Sequence, residues 1–164
     1  NMTLSMGGLA ALNITSDENR RTCLADFYER WKDTSLVMEK WLSLEASAPY
    51  TGTLNHLHML MRDPAFDAEN PNKLRSVLGA FAMANPIQFH KEDGSGYQFI
   101  AEQIAEMDSR NPQMAARLAV VLTRFAHIEP GRRALMRTFV VELSRHKLSD
   151  NLHEIVSKAL ASSD

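Results

Sequence analysis

Residues 111–125 read NPQMAARLAVVLTRF and carry the helical pattern that recurs along the whole chain. Asn111 can cap a helix with its side chain, and Pro112 then takes the first helical position, where its missing N–H costs no hydrogen bond. The apolar side chains of the segment recur at helical spacing and form one stripe, which consists of Met114, Leu118, Val121, Leu122 and Phe125. The segment therefore predicts an amphipathic helix that buries one face.

Helix signals of the same kind lie on both sides of this segment. The Asn-Pro step at residues 70–71 marks another helix start, and Ser-Asp-Glu at residues 16–18 can cap a further helix. A helix end is expected at residues 63–64, because the residue before a proline avoids helical geometry. No stretch alternates in the manner of a strand with β-branched or aromatic enrichment. The sequence predicts about eight or nine helices and no sheet.

Helices of this length must pack against one another, because short amphipathic helices are not stable alone in water. We expect an all-α fold in which antiparallel helix pairs stack into an irregular right-handed superhelix of the armadillo or HEAT type. No clean sequence period emerges when the pairs are aligned, so a closed helical bundle is also possible on the sequence alone. Residues 1–164 are interpreted as one helical domain.

Composition excludes several classes of protein. The 18 Lys and Arg residues against 20 Asp and Glu residues provide no basic field for a nucleic acid. No apolar run reaches the ~20 residues that a membrane-spanning helix needs. Cys23 is the single cysteine and has no partner for an internal disulfide, so we expect a packed thiol in a reduced, cytoplasmic protein. The methionines are expected to fill the core, among them Met59 and Met83.

Zinc ligands are not apparent in the sequence. His153-Glu154 begins a His-Glu-x-x-His pattern, but Ser157 occupies the position of the second histidine. His56 and His58 are two residues apart and point to different faces of a helix, so we expect a packed His58 and an exposed His56. No metal site is predicted in this chain. Residues 93–96, Asp-Gly-Ser-Gly, are interpreted as a turn that caps a helix.

Several longer stretches resemble a known family. They are residues 63–66 (DPAF), 70–81 (NPNKLRSVLGAF), 85–86 (NP), 89–90 (FH), 93–97 (DGSGY) and 109–118 (SRNPQMAARL). In this order and approximate spacing they resemble the last, helical domain of bacterial aminopeptidase N, a member of the M1 zinc metallopeptidases. The flanking residues fit the same domain in helical pattern and in length.

The resemblance implies that the chain is the C-terminal domain of a larger enzyme. Such an enzyme has a β-rich N-terminal domain, a thermolysin-like catalytic domain that holds zinc, and a small β-sandwich. The catalytic and β-sandwich domains would be the partners of this chain, and peptides the substrates. The helical domain would wall the catalytic chamber and control access, with no zinc and no activity of its own. The start at Asn1 also suggests a piece of something longer.

The resemblance also implies three substrate-contacting residues. By spacing alone, Gln113, Arg117 and Arg124 share a stripe that an ordinary solvated helix face would explain. By match to the family's Asn-Pro-Gln-x-Ala-x-Arg segment, Gln113 would lie near the rim of the pocket for the first substrate side chain. Arg117 and Arg75 would line the chamber and orient peptide carboxylates and carbonyls farther along the substrate.

Two other functions are compatible with the sequence. A freestanding helical-repeat adaptor could bind a partner peptide on a concave face, for which a helical array alone is sufficient. An independent enzyme could use His90 with a carboxylate such as Asp93 or Glu102, although these residues are close only in sequence. An upstream reading frame with His-Glu-x-x-His favours the peptidase.

Overall fold

The structure, a computed structural model, describes residues 1–15, 17–63, 65–124 and 128–162. Within these ranges every regular element is helical and no strand occurs, which confirms the predicted all-α class. Ser16, Pro64 and the stripe residue Phe125 lie outside the described residues. The helix end expected at residues 63–64 is confirmed, because the helix before this step ends at Arg62 and Asp63 is extended. The chain divides into two compact units, Asn1–Gln88 (unit 1) and Phe89–Asp164 (unit 2).

Unit 1 contains most of the helices. They are α1 (Met2–Leu12), α2 (Glu18–Trp31), α3 (Ser35–Ala46), α4 (Thr53–Arg62), α5 (Pro71–Leu74), a π-helical turn (Arg75–Gly79), α6 (Ala80–Ala84) and the beginning of α7 (Pro86–Phe89). Asp17 caps α2 by accepting a hydrogen bond from the backbone N of Arg20. Asn70 caps α5 by accepting from the backbone N of Asn72 and of Lys73. The sequence signals at these two positions are therefore confirmed.

Helix α3 is the centre of unit 1. Its buried side chains are Val37, Met38, Trp41, Leu42, Leu44, Glu45 and Ala46, and it packs against α1, α2, α4 and the π-helical turn. The Trp41 indole N–H donates to the carbonyl of Leu24 on α2, over 3.1 Å. Buried Asn85 closes the C-terminal end of α3, because its amide nitrogen donates to the carbonyls of Ala46 and Ala48. The end of a buried helix thus keeps its hydrogen bonds.

Unit 2 is built around α8. Its helices are α8 (Ser95–Asp108), α9 (Pro112–Ala119), a 3₁₀ turn (Val120–Leu122), α10 (Pro130–Ser144) and α11 (Asp150–Ala161). Helix α8 buries Tyr97, Phe99, Ile100 and Ile104 and packs against α9 and α10. Asp108 at its end accepts from the backbone N and the hydroxyl of Ser149, the residue that caps α11. One carboxylate therefore joins the end of α8 to the start of α11.

The structure departs from the predictions in several details. Among the described residues it has eleven α-helices, more than the eight or nine expected, because the short α7 was not predicted and the 71–84 segment is interrupted by a π-helical turn. Cys23 is exposed, since α2 buries only Arg20, Leu24 and Phe27. Met59 and Met83 are also exposed and do not fill the core. No helix among the described residues has the length and apolarity to cross a membrane.

Gly94 is the one position with positive φ among the described residues, at 76°, and it is buried against α10. A Cβ there would lie 3.0 Å from side-chain atoms of Leu135 and of Phe139. We expect Gly94→Ala to lower the free energy of unfolding by about 2–4 kcal/mol, through left-handed backbone strain and overpacking. Urea unfolding followed by circular dichroism measures this change.

Gly8→Ala is the matched control. Gly8 lies on the exposed side of α1, and nothing would come within 4 Å of an added Cβ. Alanine there should raise the free energy of unfolding by about 0.5–1 kcal/mol, because glycine is a poor helix former. Equal effects of the two substitutions would contradict the assigned role of Gly94.

Candidate functional site

Gln113 and Arg117 lie one turn apart on α9, and both side chains are exposed. Asn111 caps the helix by accepting from the backbone N of Met114, and Pro112 takes the first position, as predicted. The opposite side of α9 is packed and contributes Ala115, Ala116, Leu118 and Ala119 to the core. In the described ranges no hydrogen bond or ion pair engages the guanidinium of Arg117. The pair therefore forms an open polar face on a firmly packed helix.

The other two basic residues of the prediction lie elsewhere. Arg75 belongs to unit 1, at the start of the π-helical turn, where it is exposed and donates to Oδ1 of Asn72 over 2.8 Å. Arg124 is not part of α9, because the helix ends at Ala119 and tightens into the 3₁₀ turn. The predicted three-residue stripe is thus reduced to Gln113 and Arg117. The binding roles of Gln113, Arg117 and Arg75 stay predictions.

A buried ion pair that the sequence analysis did not identify lies inside unit 1. Nη2 of Arg20 is 3.0 Å from Oε2 of Glu45, and the two side chains are only 2% and 5% exposed. Arg20 also donates to Oδ1 of Asn13 through Nε and Nη2, and to the hydroxyl of Tyr50 through Nη1. The amide nitrogen of Asn13 in turn donates to the carbonyl of Leu44. The cluster connects α2 and α3 with the segments that follow α1 and α3.

His56 on α4 completes this cluster. Its Nε2 atom is enclosed and lies 3.2 Å from Oε2 of Glu45, at ion-pair distance but without hydrogen-bond alignment. His56 was expected to be exposed and His58 to be packed, whereas both are half-buried. The His56 side chain is 36% exposed, and its Nε2 edge lies against α3. Burial raises the pKa of the Glu45 carboxyl, but His56 and then Arg20 outweigh burial and hold that pKa below its ordinary value.

The sequence does contain a signal for the buried pair. Arg20 precedes Leu24 by four residues and Phe27 by seven, so it occupies a core position of the α2 stripe. Glu45 follows Trp41 by four residues and occupies a core position of α3 in the same way. Opposite charges at core positions of neighbouring helices indicate a buried pair, because an unpaired charge there is strongly unfavourable.

His90 takes part in an aromatic cluster of unit 2. Its Nδ1 atom is 2.7 Å from the hydroxyl of Tyr97, and both rings pack edge-on against Phe89. Nε of Arg132 on α10 donates to the backbone carbonyl of His90, over 2.8 Å. Burial, followed by the charge of Arg132, lowers the pKa of His90. The cluster therefore holds a neutral imidazole between the start of α8 and α10.

Asp93 and Glu102, the two carboxylates near His90 in sequence, have other partners. Asp93 accepts from the backbone N and the hydroxyl of Ser95 and pairs with Lys91, as expected of a capping turn. The Ser95 hydroxyl first, then Lys91 and the Ser95 amide, lower the pKa of Asp93 to about 2. Glu102 accepts from the side-chain amide of Gln98. No contact in the described part of the chain joins His90 to either carboxylate.

His153 lies on the exposed side of α11. Its Nε2 atom is 3.4 Å from the hydroxyl of Ser157, the residue at the position of the missing second histidine. Among the described residues no group of three or more His, Cys, Asp or Glu side chains is arranged to hold a metal ion.

Comparison with known proteins assigns the family. The family described as "Domain of unknown function (DUF3458_C) ARM repeats" matches residues 1–161. The chain belongs to this family. Its name agrees with the armadillo type expected from the helical pattern.

Relatives of the DUF3458_C chain include two curated aminopeptidases. Aminopeptidase N of Escherichia coli K12 is 38% identical over 162 residues, which cover 98% of this chain and 19% of the relative. Aminopeptidase N of Haemophilus influenzae is 38% identical over 161 residues, again 98% of this chain and 18% of the relative. The chain thus spans about a fifth of the length of these relatives.

A solved structure has the same fold. The crystal structure of Legionella pneumophila aminopeptidase A in complex with aspartic acid matches with a TM-score of 0.93 and 31% sequence identity, over 99% of this chain and 19% of that chain. The predicted resemblance to a C-terminal domain of aminopeptidase N is therefore confirmed. Homology places the DUF3458_C chain in the C-terminal part of such aminopeptidases.

The buried pair should dominate the stability of unit 1. Replacement Arg20→Met leaves the Glu45 carboxylate and Asn13 without their cation, and we expect a loss of about 3–5 kcal/mol in the free energy of unfolding. Arg21→Met is the control, since its ion pair with Glu18 is exposed and should contribute less than about 1 kcal/mol. Denaturant unfolding of both variants measures the difference, and a loss no larger for Arg20→Met would refute the assignment.

His90 should make unit 2 sensitive to mild acid. The native pKa lies below the ordinary 6.5, so the stability due to neutral His90 is complete above pH 6.5. It is lost as the pH falls from 6.5 through the native pKa, because the unfolded chain then binds more protons. We expect His90→Asn, which can still accept from Tyr97, to weaken this pH dependence in urea unfolding. The exposed His153→Asn should leave it unchanged; an unaltered profile for His90→Asn would contradict the prediction.

Proposed function

We propose that this chain is the C-terminal domain of a zinc-dependent M1 aminopeptidase N that removes N-terminal residues from peptides. The observation that carries the proposal is the 38% identity to aminopeptidase N, which covers 98% of this chain but only 19% of the relative. The domain walls the catalytic chamber and controls which substrates enter. Its partners are the catalytic and β-sandwich domains of the same protein, and the isolated chain is inactive.

The open face of α9 supports a role in substrate contact. A guanidinium without a protein partner can donate two parallel hydrogen bonds to a carboxylate, or single bonds to peptide carbonyls. The guanidinium of Arg117 has no hydrogen-bond or ion-pair partner among the described residues. Arg75 donates one hydrogen bond, to Asn72, and its other N–H groups can bind a substrate. In this proposal Gln113 borders the pocket for the first side chain, and Arg117 and Arg75 orient the substrate farther along. A packed helix suits this task because it holds its side chains in place.

The hydrolytic chemistry belongs to the rest of the enzyme. Zinc held by the catalytic domain would supply Lewis-acid chemistry for peptide hydrolysis, and in this proposal its ligands all come from outside this chain. The domain instead excludes bulk water and offers binding contacts at the edge of the chamber.

We further propose a broad preference that includes alanine, basic and large apolar first residues. A cytoplasmic location is proposed as well, in keeping with the free thiol of the single cysteine.

Release of a chromophore from an alanyl arylamide tests the proposal. The assay compares this chain with the product of its complete reading frame, each with and without a zinc chelator. We expect chelator-sensitive activity only in the complete product. Activity in neither would favour the peptide-binding adaptor, and activity in this chain alone would overturn the proposal.

Variants of the complete enzyme test the residues. Gln113→Ala should raise KM for both an alanyl arylamide and a pentapeptide, by about threefold to tenfold, because it lies near the first side chain. Arg117→Ala should raise KM for the pentapeptide alone, since it contacts the substrate farther along. Arg145→Ala, an exposed arginine at the end of α10, is the matched control and should change neither. Equal effects of all three variants would exclude a specific role for the α9 face.

A further inference from the structure

Unit 1 contains a groove bounded by α2, α3 and α4, with a volume of about 840 Å³. Its walls are mainly aromatic and aliphatic and include Leu24, Tyr28, Trp41, Leu42 and Phe66. This volume lies within the range of sites that enclose small ligands or peptide side chains. The groove lies entirely within unit 1 and contains none of Gln113, Arg117 and Arg75.

One wall of the groove is a pair of aromatic rings. The centroids of Tyr28 on α2 and Trp41 on α3 are 5.1 Å apart. The indole N–H of Trp41 is already donated to the carbonyl of Leu24, so its remaining surface is apolar. Met59 is 68% exposed at the edge of the groove, where its flexible thioether can adapt to an occupant. This wall suits a large apolar side chain.

The polar cluster of unit 1 provides one acceptor and one donor to the groove. Oε2 of Glu45 is engaged by Arg20 and His56, whereas Oε1 accepts no hydrogen bond from the described residues. Among the described residues, His56 Nε2 is the one side-chain N or O atom that is both shielded from solvent and without a hydrogen bond. Because Oε1 also lacks a hydrogen bond, it must be reachable by solvent. The Tyr50 hydroxyl accepts from Arg20, and its own hydrogen has no acceptor among the described residues. Both groups bind one guanidinium and are therefore neighbours.

The charges around the groove are balanced. Arg20 and Glu45 neutralise each other inside, and the Arg21–Glu18 and Lys32–Glu29 pairs do so at the edge. The other two charged lining residues, Asp63 and Lys73, carry opposite charges. A charged ligand group would place an uncompensated charge beside a pair that is nearly excluded from water. An uncharged peptide residue avoids this cost, because its backbone N–H can donate to Glu45 and its own carbonyl can accept from Tyr50.

We propose that this groove binds an uncharged internal segment of a peptide, as a site separate from the α9 face. A large apolar side chain of the segment packs on Tyr28 and Trp41. The backbone N–H of that residue donates to Oε1 of Glu45, and its own carbonyl accepts from the hydroxyl of Tyr50; in an extended segment these two groups of one residue point to the same side. The inference does not depend on the proposed aminopeptidase function, since it rests on contacts within unit 1 alone.

Titration of the 164-residue chain with N-acetylphenylalanine amide tests the proposal. The indole resonance of Trp41, resolved by comparison with a Trp41→Phe spectrum, reports binding in NMR. We expect a saturable shift with a dissociation constant in about the millimolar range or tighter, as usual for a ligand of this size. N-acetylalanine amide, which lacks the ring, should bind at least about fivefold more weakly. N-acetylphenylalanine, whose carboxylate is charged, and phenylalanine amide, whose amine is charged, should also bind more weakly.

Variants on the surface of the groove separate binding from folding. Ala25 is exposed and lines the groove, so Ala25→Trp should fill it and abolish the Trp41 shift. Thr22→Trp on the same helix lies outside the groove and is the matched control. Tyr50→Phe should weaken binding about threefold to tenfold through loss of one hydrogen bond to the ligand. Because Tyr50 also accepts from Arg20, urea unfolding of this variant verifies that unit 1 stays folded. No saturable shift, tighter binding of a charged probe, or full binding by Ala25→Trp would each overturn the proposal.

Discussion

The enclosed guanidinium of Arg20 is the constraint on which unit 1 depends. A cation that is 2% exposed is tolerated only if its hydrogen bonds are nearly all satisfied, and Asn13, Glu45 and Tyr50 provide the acceptors. Arg20 and its three partners come from four places in the chain. The cluster therefore forms only when α2, α3 and the segments after α1 and α3 are correctly assembled. Glu45 of the same cluster also lines the groove.

Unit 2 reaches a defined arrangement by other means. Its helices are fixed at their ends, where Asp108 holds the cap of α11 and Arg132 holds the carbonyl of His90. Gly94 lets α10 approach the start of α8, because a side chain there would meet Leu135 and Phe139. Each of these contacts satisfies a polar group or removes a steric conflict at a helix terminus, the part of a helix that cannot satisfy its own hydrogen bonds.

Local chemistry explains which parts of this fold could be predicted from the sequence. Helix starts at Asp17, Asn70 and Asn111 were predicted because capping depends on residues within one turn. The short α7 was missed although its start signal is local, since Pro86 follows Asn85 and Oδ1 of Asn85 accepts from the backbone N of Gln88. The burial of Asn85, whose amide nitrogen donates to carbonyls 37 and 39 residues away, does not follow from local spacing. The exposure of Cys23 and the position of His56 against Glu45 depend in the same way on which helix faces meet. Residue spacing correctly predicted that Gln113 and Arg117 lie on one face of a helix. The groove could not be predicted from spacing, because its walls come from three separate helices.

The two surfaces of the chain place different demands on the fold. The α9 face needs a rigid support, which the small buried residues Ala115, Ala116 and Ala119 allow by letting the neighbouring helices α8 and α11 come close. The groove lies beside the polar cluster, and the paired rings of Tyr28 and Trp41 form one of its walls. A helical-repeat chain can meet both demands without reactive groups of its own, because helix packing fixes the positions of side chains far apart in sequence. In the proposed function, contacts positioned in this way would supply orientation and exclusion of water to a catalytic centre in another domain.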